Sequence, residues 1–310
     1  MLTKNIASDS NARQNGIVRF ELVGRFTLLL IIAGVLAGGC GEMRIASDDT
    51  SPATAAKPTS EVILASEVNW EQLNPARGDK SPKAGTLWGD RKANVATGFL
   101  VQFVDGFSSP PHIHNITYRG VVIHGLVHND DPNAARMWMP TSSFWTQPKG
   151  EVHITAAKGK TNVAYIEIEE GPYLVLPPKK AFETAERPIN VDASNIVWVN
   201  QPGMPASADG PKTAFLWGSP QDGRLCGTLI KLPAGFAGKI TPHGSTLRAV
   251  VIRGRLTHRL PDESNDKTLE PGSYFSSQGE SAHRVSCEAA NESILYVRTD
   301  GKFDVMPMKR

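Results

Sequence analysis

The chain has 310 residues, a length that suits about two domains. Its 33 lysines and arginines almost balance 31 aspartates and glutamates, so the net charge is only +2. This balance, with no clustered basic stripe, excludes a nucleic-acid-binding surface of the usual basic kind. Hydrophobic residues make up 40% and charged residues 21%, as in globular proteins rather than disordered ones. The 28 glycines and 22 prolines predict frequent turns and argue against long helices.

The first forty residues have the pattern of a targeting segment. Four basic residues, Lys4, Arg13, Arg19 and Arg25, precede an apolar and uncharged run at 26–37 (FTLLLIIAGVLA). A run of this length matches the hydrophobic region of a secretory signal peptide and is short for a membrane-spanning helix. No later stretch of the sequence is apolar for long enough to cross a bilayer. We therefore expect this segment to direct export of the chain.

The targeting segment ends with small residues and a cysteine, Leu36-Ala-Gly-Gly-Cys40. The run resembles a bacterial lipobox, although that motif prefers a leucine one place closer to the cysteine. The resemblance implies a lipid on Cys40 that attaches the protein to a membrane. Gly41, which is not an aspartate, implies the periplasmic face of the outer membrane. A plain secretory signal with an incidental cysteine is the alternative. Residues 41–60 are small and polar, which predicts a flexible tether.

The rest of the chain contains an internal repeat with a constant offset of 129 residues. Leu-Trp-Gly begins at Leu87 and again at Leu216, and the run Val-Val-Ile-x-Gly that begins at Val121 recurs at the same offset. The offset holds across four separate segments, which chance matches would rarely do. We therefore expect two similar domains, at 61–180 and 181–308.

Each unit contains short segments that predict β-strands. The segments are rich in Val, Ile, Thr, Leu and aromatic residues, and Gly, Pro, Asn and Asp separate them. Short strands at regular spacing, without helical periodicity, predict an all-β fold of the sandwich or jelly-roll barrel type. A short helix is expected in the connector, over the AFETAER stretch at 181–187. The clearest predicted strands are 97–104, 120–127, 161–168, 226–232, 248–258 and 293–298.

Two histidines of the first unit have the spacing of metal ligands. His112 and His114 are two residues apart, so both imidazoles point to the same face of a strand. A third histidine from another strand can complete a triad that leaves coordination positions open for water, substrate or oxygen. Imidazole ligands suit several divalent transition metals, so the predicted cofactor is a single ion of Fe, Zn, Ni, Mn or Cu.

These histidines lie in two motifs that resemble those of the cupin superfamily. The first cupin motif spaces a glycine, His-x-His, a glutamate and a second glycine, and this chain keeps every spacing from Gly106 to Gly125. Tyr118 stands where the glutamate ligand would be. The second motif, Pro-x-Gly-x-x-His, begins at Pro148 and ends at His153. The resemblance implies two tandem cupin barrels of the jelly-roll or double-stranded β-helix type. It assigns metal ligation in the first barrel to the three histidines.

The resemblance also implies which proteins share such a site. Coordination by three histidines is similar to that of some cupin dioxygenases, including the acetylacetone-cleaving type, and of the cupin halves of certain zinc-binding anti-sigma factors. The sequence over most of 65–307 further resembles a family of uncharacterised bacterial proteins with two cupin domains. That likeness supports the fold and supplies no reaction.

Two residues near the histidines are candidates for catalytic roles. Tyr118 could be a distant ligand, donate a hydrogen bond to a substrate or line the wall, and we favour the last two. Glu151 could act as a general base beside the metal, or it could be a solvated turn residue. Arg119 could bind an anionic substrate, but its counterpart Arg248 persists in the second unit, so a structural role is favoured.

The second unit keeps only two of the candidate ligands. His243 and His283 align with the second and third histidines of the first unit. Thr241 stands in place of the first histidine, and Leu247 in place of the tyrosine. Two imidazoles without a carboxylate make a poor metal site. We therefore expect a degenerate barrel that serves as a scaffold or holds an apolar pocket for an organic ligand.

Four side chains outside the motifs carry weaker signals. Cys226 and Cys287 both fall in the second unit, where an exported protein could join them in a disulfide or keep them as two buried thiols. His124 and His128 follow the first motif, and we expect both at the surface.

Three classes of function fit these observations. The first is a metal-dependent enzyme of the oxygenase or isomerase type, which acts on a small organic molecule. The second is a non-catalytic module of the cell envelope that binds or senses a small ligand, and the third is a structural envelope protein. We favour the first, and a homodimer is left open. The fold cannot decide among them, because unrelated functions occur on the same fold.

Overall fold

The computed structural model describes residues 59–201, 209–221, 223–260 and 264–308. The predicted lipidation site at Cys40 lies outside the described residues, as does most of the predicted tether. Within the described part of the chain, no helix is both long enough and apolar enough to span a membrane.

The described residues form β-strands joined by turns and by four short 3₁₀ segments, which confirms the all-β prediction. They belong to one compact unit, residues 55–310. The 3₁₀ segments are Ala65–Glu67, Pro75–Lys80, Pro178–Lys180 and Ala193–Asn195. The strands are β1 Ser60–Ile63, β2 Trp70–Gln72, β3 Lys83–Trp88, β4 Thr97–Phe103, β5 Ile113–His114, β6 Tyr118–Asp130, β7 Phe144–Gln147, β8 Ile154–Ile168, β9 Val175–Leu176, β10 Ile189–Val191, β11 Val199–Asn200, β12 Lys212–Gly218, β13 Cys226–Leu232, β14 Ala237–Pro242, β15 Thr246–Arg253, β16 Leu256–Arg259, β17 Lys267–Leu269, β18 Tyr274–Gln278, β19 His283–Cys287, β20 Ser293–Thr299 and β21 Phe303–Pro307.

The strands form two barrels of antiparallel sheet. In the first barrel a seven-stranded sheet has the order β10-β7-β6-β8-β4-β3-β2, and the short pair β5-β9 lies apart from it. The second barrel has a seven-stranded sheet in the order β1-β18-β15-β20-β13-β12-β11 and a five-stranded sheet in the order β17-β16-β19-β14-β21. The two seven-stranded sheets have matching orders, as the sequence repeat predicts.

The long strands of the first barrel turn a corner at a glycine. The pairing of β6 with β8 shifts register on both sides of His124, next to Gly125, which has a φ of 76°. A side chain at this glycine would clash with Asn162, because a Cβ would lie 2.1 Å from its Oδ1. In the second barrel the matching Gly254, with a φ of 80°, separates β15 from β16. Both corners carry a strand from one layer of the barrel into the other.

The two barrels exchange their first strands. Strand β1 precedes the first barrel in the chain, yet it pairs with β18 of the second barrel. The matching strand β10 follows the first barrel, yet it pairs with β7 of that barrel. The domain boundary at residue 180 remains a prediction. Each of these two strands pairs with a strand on the other side of that boundary.

Three apolar clusters hold the molecule together. Two of them fill the interiors of the barrels, and the third lies between the barrels. Alternate residues of β6 divide between the clusters, since Val122 faces its own barrel while Val121 and Ile123 pack with Val250 and Ile252 of β15. This alternation is the period of two expected for a strand buried on both faces.

A buried ion pair crosses the interface between the barrels. The carboxylate of Glu167 lies 3.4 Å from Nη1 of Arg298, and both side chains are almost fully buried. The same carboxylate accepts hydrogen bonds from the hydroxyls of Tyr165 and Tyr296, at 3.1 and 2.6 Å. Buried charges require such partners, because an unpaired charge is costly to remove from water.

Two local predictions are wrong, and one alternative is decided. Residues 181–187 form no helix, because the Phe182 N–H donates to the carbonyl of Gly150 and Pro188 ends the segment. His124 is exposed as expected, but His128 is buried, since β6 continues past its corner beneath Met137 and Trp138. Cys226 and Cys287 are free thiols, and burial raises the pKa of both.

Candidate metal centre

The three predicted histidines meet on the inner wall of the first barrel. His112 and His153 are directly paired, since each backbone N–H donates to the other's carbonyl at 3.0 Å. His114 lies on β5, two residues on from His112, and its carbonyl accepts a hydrogen bond from the N–H of Gly150 at 2.8 Å. Gly150 has a φ of 78°, which a glycine adopts easily. The Pro-x-Gly turn therefore brings His153 beside the His-x-His segment.

Each imidazole is held by a backbone carbonyl. The Nδ1 atoms of His112, His114 and His153 lie 2.9, 2.9 and 3.1 Å from the carbonyl oxygens of Pro110, Leu174 and Glu151. Nδ1 must donate in each pair, so the neutral ring carries its hydrogen there and keeps a lone pair on Nε2. The three side chains offer ligand nitrogens that all lie within 4.8 Å of one another. This is the arrangement in which backbone hydrogen bonds orient metal-binding imidazoles.

Burial keeps these imidazoles neutral. It lowers the pKa of His112 and lowers that of His114 well below its usual value, and the two neighbouring histidines lower the latter further. It lowers the pKa of His153 to about 3, with a further contribution from His112. Neutral imidazole is the form that binds a metal ion, so the site is ready to coordinate at neutral pH.

Two tyrosines stand next to the free ring nitrogens. The hydroxyl of Tyr118 lies 3.3 Å from Nε2 of His153, and that of Tyr173 lies 3.3 Å from Nε2 of His114. The Tyr173 ring stacks on His114, with centroids 4.4 Å apart. Burial raises the pKa of both phenols, so both keep their protons at neutral pH. Tyr118 therefore lies at the site, as a wall residue and a hydrogen-bonding group.

A closed loop of hydrogen bonds supports Tyr118 and His153 from behind. Tyr118 donates to Oδ1 of Asn129 at 2.8 Å, and the Asn129 amide donates to Oε1 of Gln147 at 2.8 Å. The Gln147 amide reaches the carbonyl of Glu151 at 3.5 Å, and the same carbonyl orients His153. The loop fixes both rings without placing a carboxylate among them.

A cavity of about 420 Å³ opens over the histidines. Its wall is mainly apolar, and its volume is that of a site for a small organic molecule. Polar groups on the wall are few, apart from the histidines and the tyrosines. The lining residues are Leu73, Asn74, Arg77, Pro82, Val101, Phe103, Phe107, Ser109, Pro110, His112, His114, Tyr118, Trp145, Thr155, Ile166, Tyr173 and Val175.

Two other predicted residues lie away from the cavity. The side chain of Glu151 lines a separate groove with Phe182 and Arg187, so the prediction of a general base at Glu151 is not supported by its position. Its carbonyl holds His153 instead. Arg119 forms an ion pair with Glu169, which agrees with the structural role favoured for it.

The second barrel does not repeat the site. His243 is partly exposed and lies 2.8 Å from a carboxylate oxygen of Asp304. His283 is buried, with Nδ1 3.0 Å from Nε2 of His258, a residue that the repeat did not single out. Leu247 lies in the core. Within the described residues, the histidines of the first barrel are the one cluster that could hold a metal ion.

Sequence reasoning missed several residues of the centre. Asn129 and Gln147 are polar residues in otherwise buried strand segments, and that contrast was the available signal. Tyr173 lies beyond both motifs, in a segment that Asn115 fixes through hydrogen bonds to the backbone of Pro172 and Leu174. No local pattern marks it.

The family described as "Domain of unknown function (DUF4437)" matches residues 61–306, which is most of the chain. The chain belongs to the DUF4437 family. A search of curated proteins finds no match to this DUF4437 chain.

Solved structures show the fold of the DUF4437 chain. A candidate dioxygenase from Nostoc punctiforme has a TM-score of 0.53 and 12% identity, covering 81% of this chain and 87% of that one. A single-substitution variant of oxalate decarboxylase from Bacillus subtilis has a TM-score of 0.50 and 10% identity, covering 80% and 79%. A 7S globulin from Momordica charantia has a TM-score of 0.51 and 9% identity, covering 78% and 84%. At these identities the likeness establishes the cupin fold, as the motifs predicted, and nothing about the reaction.

Proposed function

We propose that this DUF4437 protein is a metal-dependent enzyme of the oxygenase or isomerase type that acts on a small organic molecule. One observation carries the proposal: three neutral imidazoles form a cluster at a mainly apolar cavity, and two of them, His112 and His114, line its wall. Oriented nitrogen ligands beside a space for a substrate are what such an enzyme requires. Two structural neighbours, a candidate dioxygenase and an oxalate decarboxylase, add an analogy of fold only.

The donor set fits a divalent transition metal. His112, His114 and His153 supply three nitrogens and no carboxylate, a set that suits Fe, Zn, Ni, Mn or Cu better than Mg or Ca. A metal bound there would supply Lewis acidity and open coordination positions for substrate or oxygen.

The chain's own residues would orient the substrate and keep water away from it. The hydroxyl of Tyr173 lies beside Nε2 of His114, where it can donate a hydrogen bond to a polar atom of a substrate. The hydroxyl of Tyr118 donates its proton to Asn129, so its oxygen can accept a hydrogen bond from a substrate. Trp145 lines the same cavity, and its buried indole N–H makes no hydrogen bond within the described residues. Apolar walls exclude water, which strengthens each of these interactions.

A non-catalytic binding role is the second candidate. It is favoured by the position of Glu151, since no carboxylate lines the cavity among the described residues to act as a general base. A binding protein needs the ligands and the cavity but no proton-transfer group.

Metal analysis followed by a turnover screen tests the proposal. The full chain, purified without added metal and then reconstituted with each of the five metals, should bind one ion per chain. Oxygen uptake or isomerisation of small organic substrates should then require that ion. Failure to bind any of the metals would overturn the proposal. One bound ion with no turnover across the screen would favour the binding role.

The proposal includes an envelope location. The sequence that ends at Cys40 supports a lipid-anchored protein on the periplasmic face of the outer membrane. Mass spectrometry of the native amino terminus should find an acylated Cys40. An unmodified peptide that spans Gly39 and Cys40 in mature protein would exclude the anchor.

A further inference from the structure

The cavity over the histidines carries an uneven charge. Arg77 is the one lysine, arginine, aspartate or glutamate among the described residues that line it. With one cation and no carboxylate on its wall, the cavity favours an anionic ligand over a neutral or cationic one.

Arg77 is held at the mouth of the cavity by a short structured connection. It lies in the 3₁₀ segment Pro75–Lys80 between β2 and β3, and Oδ1 of Asn74 caps that segment by accepting from the N–H of Ala76. The backbone N–H of Arg77 donates to the carbonyl of Asn74 at 3.0 Å. The connection is closed at its base by a hydrogen bond from the Asn74 N–H to Ser81. These hydrogen bonds fix the backbone position from which the Arg77 side chain extends.

The guanidinium of Arg77 lies near an aromatic ring and has no anionic partner. Its Cζ is 5.4 Å from the ring centroid of Phe107, which also lines the cavity. Within the described residues its guanidinium makes no ion pair or hydrogen bond, whereas Arg91, Arg119 and Arg298 each have a glutamate partner. An arginine held by an aromatic ring keeps its planar set of donors available for a carboxylate.

Most of the wall of the cavity shared by Arg77 and the histidines is apolar. The side chains of Val101, Phe103, Phe107 and Ile166 line it, so the middle of a ligand would bury hydrocarbon rather than polar atoms. A ligand that matches this wall has an apolar body with one negative charge at its outer end.

We propose that Arg77 binds the carboxylate of a small monoanionic substrate whose apolar body fills the cavity toward the histidines. The inference rests on the proposed function, which makes this cavity a substrate site. It adds the substrate class, and it names Arg77 as the residue that selects for charge.

Binding of a matched pair of probes tests the assignment without turnover. The probes are 3-phenylpropionate and its neutral amide, 3-phenylpropanamide, measured by calorimetry on the full chain at low ionic strength after treatment with a chelator. Removing the metal matters, because a metal ion would itself attract the carboxylate. The wild-type protein should bind the acid about tenfold more tightly than the amide, since a charged hydrogen bond is lost with the amide.

Three variants test whether the preference for the acid depends on Arg77. Arg77→Gln should bind acid and amide equally, and Arg77→Lys should keep part of the preference because it keeps the charge. Lys80→Gln is the matched control, an exposed cation of the same 3₁₀ segment that does not line the cavity, and it should behave as wild type. Added salt should reduce the wild-type preference, because the cavity mouth is exposed.

Several results would overturn the inference. They are equal binding of both probes by the wild-type protein, no binding of either probe, and a preference that survives in Arg77→Gln. Metal content, measured separately, distinguishes this failure from that of the proposed function. A preference for the acid that depends on Arg77, in a chain that binds no metal, would support the inference and exclude the proposed metal-dependent enzyme. One metal ion per chain with no preference for the acid would keep the proposed metal site and exclude the role of Arg77.

Discussion

The guanidinium of Arg119 stacks on the indole of Trp217, with Cζ 3.9 Å from the ring centroid, although the two residues belong to different barrels. Arg248 makes the same contact with Trp88, at 4.3 Å. Both residues of the second pair lie 129 positions from their counterparts in the first pair. The interface therefore has an approximate two-fold symmetry. The stacking contact explains why both units of the repeat keep this arginine.

The buried ion pair in that interface should be important for stability. Glu167→Gln removes the charge that faces Arg298 and leaves a buried guanidinium without its counter-ion. We expect the free energy of unfolding in urea to fall by about 3 kcal/mol. Glu169→Gln is the control, since its partly exposed ion pair with Arg119 is worth less than about 1 kcal/mol. Equal small losses in both variants would contradict the buried-charge argument.

Metal binding should depend on the first barrel only. His153→Ala removes one of three ligands, so the metal content after dialysis should fall from one ion per chain to near zero. His283→Ala should leave the metal content unchanged, because His283 contacts His258 and Ser277 rather than the cluster. Elemental analysis of both variants, with circular dichroism to verify folding, makes the comparison. Metal retained in His153→Ala would show that the ligand set is wrong.

Tyr118 should support the site without being a ligand. Tyr118→Phe keeps the ring and removes the hydroxyl that donates to Asn129. Asn129 still accepts a hydrogen bond from Thr155, so the free energy of unfolding should fall by only about 1 kcal/mol. Metal stoichiometry should stay at one ion per chain. Loss of the metal in this variant would instead make the phenol a ligand.

Acid should destabilise the second barrel through its buried histidine pair. Burial lowers the pKa of His258 to about 4 and that of His283 to about 3, whereas an unfolded histidine titrates near 6.5. As the pH falls below 6.5, the unfolded chain therefore takes up protons that the folded chain does not. Stability should fall by up to about 1.4 kcal/mol per pH unit for each histidine, and the fall should end near pH 3–4.

A double variant isolates that pair from the other buried histidines. Urea unfolding at several pH values between 7 and 4 should give a shallower pH dependence in His258→Phe/His283→Leu than in wild type. The histidines of the first barrel should account for the dependence that remains. An unchanged slope in the double variant would show that the pair does not set the acid sensitivity.

The sequence predicted the meeting of the three histidines because the information is local. The two-residue step from His112 to His114 and the Pro-x-Gly turn before His153 act over a few residues each. Only the bridge between the two segments is long-range, and the cupin resemblance supplied it. The metal itself remains a prediction.

Other features depend on contacts that no local pattern encodes. Arg77 reaches the cavity through a connection that precedes both motifs, and Tyr173 reaches it from a segment that follows them. Alignment of the repeats singled out His243 and His283 as the remaining candidate ligands, but β16 pairs with β19 and places His258 next to His283. Such pairings depend on which strands become neighbours, and the spacing of residues within one strand does not determine that.

The exchange of β1 and β10 means that neither half of the chain contains a complete sheet of its own. A fragment that ends near residue 180 would carry β1 with nothing to pair it and would leave β7 with an open edge. The other fragment would have the opposite fault, an unused β10 and an open edge at β18. Mixed together, each fragment supplies the strand that the other lacks. The arrangement is that of a strand-swapped dimer joined into a single polypeptide, and it should behave as a split protein that reassembles from its halves.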